Sequence, residues 1–366
     1  MVYKAIGMMS GSSLDGLDIA YVHFQETGGK WTYELLHTDC YAYTEEWATK
    51  LKNAITLSAL DYQLLHTAYG RFIGEAVNRF INVHQLHHQV DLIASHGHTT
   101  FHLPKQQMTA QLGDGAAIAA ATGLPVISDL RALDMAFGGQ GAPIVPIGEK
   151  LLLNEFQFFL NLGGIANLSY NDPANYTAFD VCPANRVLNM LVQATGKAFD
   201  EGGKIAATGN INQALLNELN AQSYYQLAFP KSLANDFGTE TIYTLIQKYR
   251  LPIPDTLRTC VEHIAVQIKS AIQAIQPQSP LTASHLLLAT GGGALNHFMV
   301  ERITAQVRDL SIEVMVPDKN LVNFKEALIM ALIGVLRWRE ENNVLASVTG
   351  AKRDSINGAI WMGAEA

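Results

Sequence analysis

The sequence predicts a two-domain α/β protein with a nucleotide cleft between the domains. Three observations carry this. Helical and strand-like patterns alternate along the whole chain. The length of 366 residues exceeds the roughly 150 expected of one domain. Three glycine turns, Gly11 to Gly16, Gly163-Gly164 and Gly291 to Gly293, each follow a strand-like run. Ligands of open α/β sheets bind beyond the carboxyl ends of strands, where such turns collect.

The elements follow in chain order. Val2 to Met8 is an apolar run, and Leu17, Ile19 and Tyr21 alternate with polar or small neighbours. This predicts half-buried strands joined by a tight turn. Residues 58 to 88 read as helix, with Leu60, Leu64, Leu65, Tyr69, Phe72, Ile73, Val77 and Phe80 at helical spacing. Asp91 to Ser95 is a short buried strand. Ala116 to Thr122 is a helix closed by Gly123, and Pro125 to Ser128 returns to strand. Glu155 to Leu162 is a strand leading into Gly163-Gly164. Thr256 to Ile275 is a long amphipathic helix. Leu286 to Ala289 is a strand that runs into Thr290-Gly291-Gly292-Gly293, and Leu295 opens a helix. Asn323 to Arg339 is the last helix. No internal repeat stands out at the periods of solenoids. The breaker-rich segment Ala136-Phe137-Gly138-Gly139-Gln140-Gly141-Ala142-Pro143 is the expected boundary. It gives an N-terminal domain 1–135, completed by 350–366, and a C-terminal domain 136–349.

Composition excludes several functions. The apolar fraction is 48% and the charged fraction 16%, ordinary for a packed globular chain. Net charge is −8 with no basic tract, which argues against nucleic acid and anionic membranes as partners. The start of the chain has no signal-peptide pattern, and no apolar run is long enough to span a bilayer. Cys40, Cys182 and Cys260 are widely spaced. That fits a reducing cytoplasm rather than a disulfide scaffold or a zinc knot.

The chemistry sits in a few segments. Gly7-Met8-Met9-Ser10-Gly11-Ser12-Ser13-Leu14-Asp15-Gly16-Leu17-Asp18 exposes backbone N–H groups and hydroxyls suited to an anion. Asp15 and Asp18 suit a magnesium ion bridging to that anion. The other reading is a polar hairpin turn. None of the glycine turns fits a P-loop or the spaced dinucleotide pattern, so a nicotinamide or flavin cofactor is not expected. His96, His98 and His102 could share one face of a strand. No HExxH pattern or cysteine completes a metal set, and sugar hydrogen bonding or a structural role stands beside the metal reading. Arg131, in Asp129-Leu130-Arg131-Ala132-Leu133-Asp134, suits a carboxylate or phosphate; the alternative is a surface ion pair. Asp180 at a strand end is a candidate general base, or a turn-initiating Asp before Pro183. Glu326 three residues after Asn323 reads either as a helix capping box or as a site residue.

Six segments in order resemble anhydro-N-acetylmuramic acid kinases. They are the Gly7–Asp18 run, Ser95-His96-Gly97-His98-Thr99, Gly138-Gly139-Gln140-Gly141-Ala142-Pro143, Asn161-Leu162-Gly163-Gly164-Ile165-Ala166-Asn167, Gly291-Gly292-Gly293-Ala294-Leu295-Asn296 and Val348-Thr349-Gly350-Ala351. The resemblance implies the two-domain actin-like ATPase (ribonuclease H-like) fold, closing over ATP and magnesium. It implies an enzyme that opens the 1,6-anhydro bond with water at C1 and phosphorylates O6, in recycling of bacterial cell-wall sugar. By position, it implies that Gly11, Ser12, Ser13, Leu14, Asp15, Gly16, Leu17 and Asp18 form the ATP phosphate loop, with magnesium near Asp15. Gly163 and Gly164 resemble the second phosphate turn, and Gly291, Gly292, Gly293 and Asn296 the nucleoside-side turn. Asp180 matches the residue that activates water, and His96, Arg131 and Glu326 match positions near the sugar. The expected partners are a small-molecule sugar and a second copy of the chain, with no nucleic acid and no membrane.

The chain departs from the family pattern around the expected base. Phe-Asp-Thr-Gly-Pro-Gly-Asn with a later Asp reads here as Phe179-Asp180-Val181-Cys182-Pro183-Ala184-Asn185, then Asn189. Pro230 to Phe237 lacks the usual Gly-Arg-Glu. Added side chains would crowd a ligand where backbone faces it. Cys182 reads as a buried core thiol or as a reactive one. Two further readings stand beside the kinase: a nucleotide- and sugar-binding regulator with little catalysis, and an ordinary sugar kinase.

Overall fold

The structure is a computed structural model that describes residues 1–11, 13–172, 176–229, 231–233, 236–275 and 285–363. Ser12, Pro230, Ala234 and Asn235 thus lie outside the described residues. The strands are β1 (Val2–Ser10), β2 (Gly16–Thr27), β3 (Lys30–Ala42), β4 (Leu92–Leu103), β5 (Met108–Leu112), β6 (Val126–Ser128), β7 (Phe158–Leu162), β8 (Ile165–Tyr170), β9 (Thr177–Pro183), β10 (His285–Thr290), β11 (Ile312–Met315) and β12 (Ala359–Trp361).

They form two sheets with one topology. The first contains the order β3-β2-β1-β4-β6, and the second is β9-β8-β7-β10-β11. In each, the first three strands are antiparallel. The remaining neighbours pair parallel. The chain is therefore a mixed α/β protein built from one topology used twice, as the ribonuclease H-like expectation requires. The duplication lies in strand order and direction, which explains why no repeat shows in the sequence.

The chain packs as two compact units, 1–153 with 324–366, and 154–323. The expected boundary at 135/136 differs from this packing. Residues 136–153 and the chain from 324 onward bury their apolar faces within the first unit. A Cβ on Gly148, in the helix Pro146–Leu152, would run into Ile329 of the helix Lys319–Trp338. The final segment closes the first sheet, as β12 pairs antiparallel with β6.

In the first unit, alternation along β1 sorts side chains to two faces. Ile6 and Met8 face a core built with Tyr69, Ile73, Val77 and Phe80 of the helix Ala59–Val83. That helix starts where Ser58 accepts a hydrogen bond from the Asp61 N–H, which satisfies one of its free N-terminal donors. On the opposite face Gly7 lies so close to the helix Lys319–Trp338 that a Cβ would meet the Ala327 carbonyl and Ala331. In the second unit the helix Ile253–Ile275 packs its apolar stripe on the sheet, with Ile264, Ile268 and Ile272 among Leu160, Leu162 and Leu287. Val181, Cys182 and Ala184 also belong to this core. Three of the side chains that depart from the family pattern thus point into packed interior, while Asn189 is half-buried on the helix Asn185–Val192. Burial pushes the Cys182 thiol well above its ordinary range, which suits a core residue rather than a nucleophile.

Candidate active site

The first glycine turn joins β1 to β2. Leu17 is fully buried in the core and Leu14 packs on it, while Gly16 is pinned against Cys40 and Tyr41. These three build the turn. Ser13 and Asp15 stand exposed, and Asp15 Oδ1 accepts from Ser13 Oγ at 2.7 Å and from the Gly16 N–H at 3.1 Å. Burial raises Asp18 to about 6; the Cys40 thiol bonded to it opposes the shift, and Asp15 and Glu326 add to it. A divalent ion would reverse that preference, because it stabilises the ionised carboxylate. The donor set of Asp15 and Asp18 fits a hard cation. Beneath the turn, Ser10 Oγ accepts from Tyr43 at 2.8 Å and lies 3.0 Å from His98 Nδ1.

Arg131 is half-buried, and the loss of solvent around its guanidinium lowers its pKa to about 10. Its Nε donates to His96 Nε2 at 2.8 Å and its Nη1 to the Gly141 carbonyl at 2.6 Å. The acceptor role of Nε2 places the imidazole proton on Nδ1, which donates to the Gly97 carbonyl at 2.9 Å. Burial, with Arg131 second, drives His96 to about 3, so the ring is neutral at physiological pH. Both ring nitrogens are therefore used within the protein, and His96 orients Arg131. The three histidines do not converge: His98 faces Ser10, and His102 Nδ1 lies 3.3 Å from Thr109 Oγ1.

Glu326 is half-buried, and desolvation raises its carboxyl above the ordinary range, against the opposing pull of Lys325 and Arg131. The capping-box reading fails. The helix starts at Lys319, and Asp318 is the residue whose carboxylate accepts from Asn320 (2.8 Å) and Leu321 (3.0 Å). Glu326 thus sits two turns inside the helix, partly exposed. The adjacent Lys325 is buried and pairs with Glu149 at 2.8 Å.

In the second unit, Asp180 lies on β9 opposite Asn167 of β8. Its carboxylate accepts from the Leu233 N–H at 2.7 Å, from Ser232 Oγ at 3.3 Å and from the Asn167 amide. Burial nonetheless raises its pKa, so desolvation outweighs these three donors. Its backbone is held too. The N–H donates to the Lys231 carbonyl at 3.1 Å, and the carbonyl accepts from Tyr224 at 2.8 Å. Sequence reasoning missed Asn167, Ser232 and Tyr224 as partners. The hairpin at Gly163-Gly164 signals the β7–β8 pairing, but nothing in the spacing signals the long return of residues 224–233.

The glycine turns of this unit fit an anion. The Gly163 carbonyl accepts from the Asn185 N–H at 3.1 Å, and the Gly164 carbonyl from the Ala184 N–H at 2.9 Å. In a planar trans peptide the N–H points opposite to the carbonyl. The Gly164 N–H is thus turned away from the helix Asn185–Val192. The Arg186 guanidinium lies against Gly164, a cation that the sequence reading passed over. A Cβ added to Gly292 would meet nothing among the described residues, and the buried Thr290 hydroxyl at the end of β10 has no partner there. Such an open cradle with an unsatisfied donor fits a nucleotide. Asn296 has a second duty, since its Oδ1 accepts from Met299 N–H at 3.0 Å and caps the helix His297–Val307. That helix therefore begins after Asn296, not at Leu295.

Comparison with known proteins decides what this arrangement belongs to. The model of the family "Anhydro-N-acetylmuramic acid kinase" matches residues 3–363. The chain belongs to the anhydro-N-acetylmuramic acid kinase family. It is 32% identical to the kinase of that name from Haemophilus influenzae, over 97% of each chain. It is 32% identical to that of Synechococcus elongatus, over 98% of this chain and 99% of the relative. Among solved structures, a xylulose kinase from Lactobacillus acidophilus aligns with a TM-score of 0.43 and 10% identity, over 91% of this chain and 89% of that one. Membership in the anhydro-N-acetylmuramic acid kinases makes the chain a phosphotransferase of cell-wall sugar recycling. It acts on a small-molecule sugar and uses ATP with a divalent metal. No helix among the described residues is long and apolar enough to cross a membrane.

Proposed function

We propose that Asp180 is the general base that activates water, and that Arg131 and Glu326 hold 1,6-anhydro-N-acetylmuramic acid. The observation that carries the base assignment is the Asp180 carboxylate: half-buried, raised in pKa, and fixed by three donors from two segments. A base poised above the ordinary carboxylate range takes a proton more readily than an exposed aspartate does. Asp180 takes the proton of water, the water oxygen bonds C1, and the C1–O6 bond breaks. O6 takes the γ-phosphoryl group, and ADP departs. O6 therefore needs no second carboxylic acid to protonate it.

The remaining residues bind and orient. Gly11, Ser13, Gly163, Gly164, Gly292 and Gly293 present backbone to the phosphates and nucleoside, with Arg186 adding positive charge. Asp15 and Asp18 would hold the metal, which we assign as magnesium; when bound, it neutralises charge on the phosphates. His96 positions Arg131, so its part in sugar binding is indirect. The same reading places the enzyme in the cytoplasm, in keeping with three free cysteines, and as a homodimer. Exposed Ile55, Leu57, Leu60 and Leu64 offer an apolar face for the second copy.

The test is ADP release from ATP and magnesium with 1,6-anhydro-N-acetylmuramic acid, against a control without sugar, in oxygen-18 water. Sugar-dependent ADP, with one labelled oxygen and one phosphate in the product, is expected. Phosphorylated product without the label would overturn water attack and favour an ordinary sugar kinase.

A further inference from the structure

We propose that Asp134, with Thr349, is a positioning residue for sugar recognition: it sets the loop whose Gly141 carbonyl aims Arg131. The inference rests on the reading of Arg131 as a sugar-binding group.

The bonds form one continuous chain. Asp134 is fully buried and Thr349 nearly so. Thr349 Oγ1 donates to Asp134 Oδ1 at 2.7 Å, and the Gly141 N–H donates to Asp134 Oδ2 at 2.8 Å. The carbonyl of that same Gly141 accepts from Arg131 Nη1 at 2.6 Å. The Asp134 backbone is anchored as well, its N–H donating to Asn357 Oδ1 at 2.9 Å and its carbonyl accepting from Gly139 at 2.9 Å. The Gln140 N–H reaches the Thr349 carbonyl at 2.9 Å. The loop accepts no bulk: Gly141 has φ +65°, and a Cβ on Gly139 would collide with the Asp134 carboxylate and Ala351.

This geometry accounts for two segments that no contact to nucleotide or base explains, Gly138–Pro143 and Val348–Ala351. They meet on one carboxylate. With its Nε held by His96 and its Nη1 by Gly141, the guanidinium is fixed at two points, and Nη2 has no protein acceptor among the described residues. A displaced Gly141 peptide would release one of those points and let the guanidinium turn. Recognition of a ligand by a planar fork depends on that orientation.

Purified Thr349→Val, Thr349→Ser, Asp134→Asn and Arg131→Ala enzymes are compared for KM of the anhydrosugar, KM of ATP and kcat. Thr349→Val is expected to raise the sugar KM about tenfold or more, the size of one lost buried hydrogen bond, with the ATP KM within about twofold. Thr349→Ser keeps the hydroxyl and is expected to restore the parent value. Arg131→Ala added to Thr349→Val is expected to cost no more than Arg131→Ala alone. A folded Thr349→Val enzyme with unchanged sugar KM, or with sugar and ATP KM rising together, overturns the proposal. If Arg131→Ala itself leaves the sugar KM unchanged, the reading of Arg131 fails first, and the proposal with it. Should Asp134→Asn not fold, the Thr349 pair decides alone.

Discussion

Arg131 Nε donates to His96 Nε2 at 2.8 Å, and this bond sets the tautomer of the histidine and supplies one of the two points that hold the guanidinium. A histidine that the sequence offers as a ligand is thereby a support. His96→Ala is expected to raise the sugar KM about tenfold while leaving nucleotide affinity intact, since a half-buried guanidinium donor loses its acceptor. Calorimetric titration with ATP and with sugar separates the two. Loss of ATP binding alone would contradict the assignment.

The same histidine makes the fold sensitive to acid. Burial lowers both His96 and His263 to about 3. The unfolded chain takes up these protons below about pH 6.5, and the folded chain does not, so stability is full above that pH and falls as pH drops toward 3. Between pH 7 and pH 5 each histidine is expected to cost about 2 kcal/mol. Urea midpoints at the two pH values measure the loss, and His263→Asn should remove about half of it.

Asp18 behaves in the opposite sense. Its pKa is raised to about 6, chiefly by burial, so its contribution is favourable at low pH and is lost as pH rises through 6. Asp18→Asn is expected to stabilise the metal-free protein by roughly 1–3 kcal/mol at pH 8. It is expected to lower kcat at saturating magnesium. A melting-temperature increase paired with lost turnover would mark a site that sacrifices stability for function.

Asp180→Asn keeps the shape of the side chain and removes the base. Turnover is expected to fall at least about a hundredfold, the size of general-base catalysis. In the parent enzyme, kcat should fall on the acid side with a midpoint above the ordinary carboxylate value, because burial raises Asp180. Ser232→Ala removes one donor to the ionised form and should move that midpoint upward. A pH–rate profile unchanged in Ser232→Ala would argue against Asp180 as the titrating base.

Gly292→Ala tests the nucleotide cradle without disturbing the fold. The added methyl meets open space among the described residues. Stability is expected to change by less than about 1 kcal/mol, as for an exposed position. ATP affinity is expected to fall about tenfold or more where backbone must approach the ligand closely. Gly7→Ala is the contrasting control. Its methyl would strike the Ala327 carbonyl, and the soluble yield should collapse.

Local chemistry is legible in the sequence. The helix at Ala59–Val83 shows in the spacing of Leu65, Tyr69, Ile73 and Val77, because its apolar stripe is written at the period of the helix. The turns at Gly11, Gly163 and Gly291, and the family motifs around them, stand in the chain itself. Family membership and reaction class follow from these. The capping role of Asn323 fails because Asp318, five residues earlier, supplies the same oxygen acceptor and the helix takes the earlier start.

Tertiary structure alone decided which side chains share a task. Asp180 meets Ser232 and Leu233 from over fifty residues away, and Asp134 meets Thr349 from over two hundred. It also decided that Val181, Cys182 and Ala184 turn into the core rather than toward a ligand. The sequence by itself determined the fold class, the glycine turns and the chemistry available, because those depend on short-range pattern and residue type. Tautomer, burial and carboxylate pKa depend on partners that the chain brings together only by folding, and no spacing along the sequence records them.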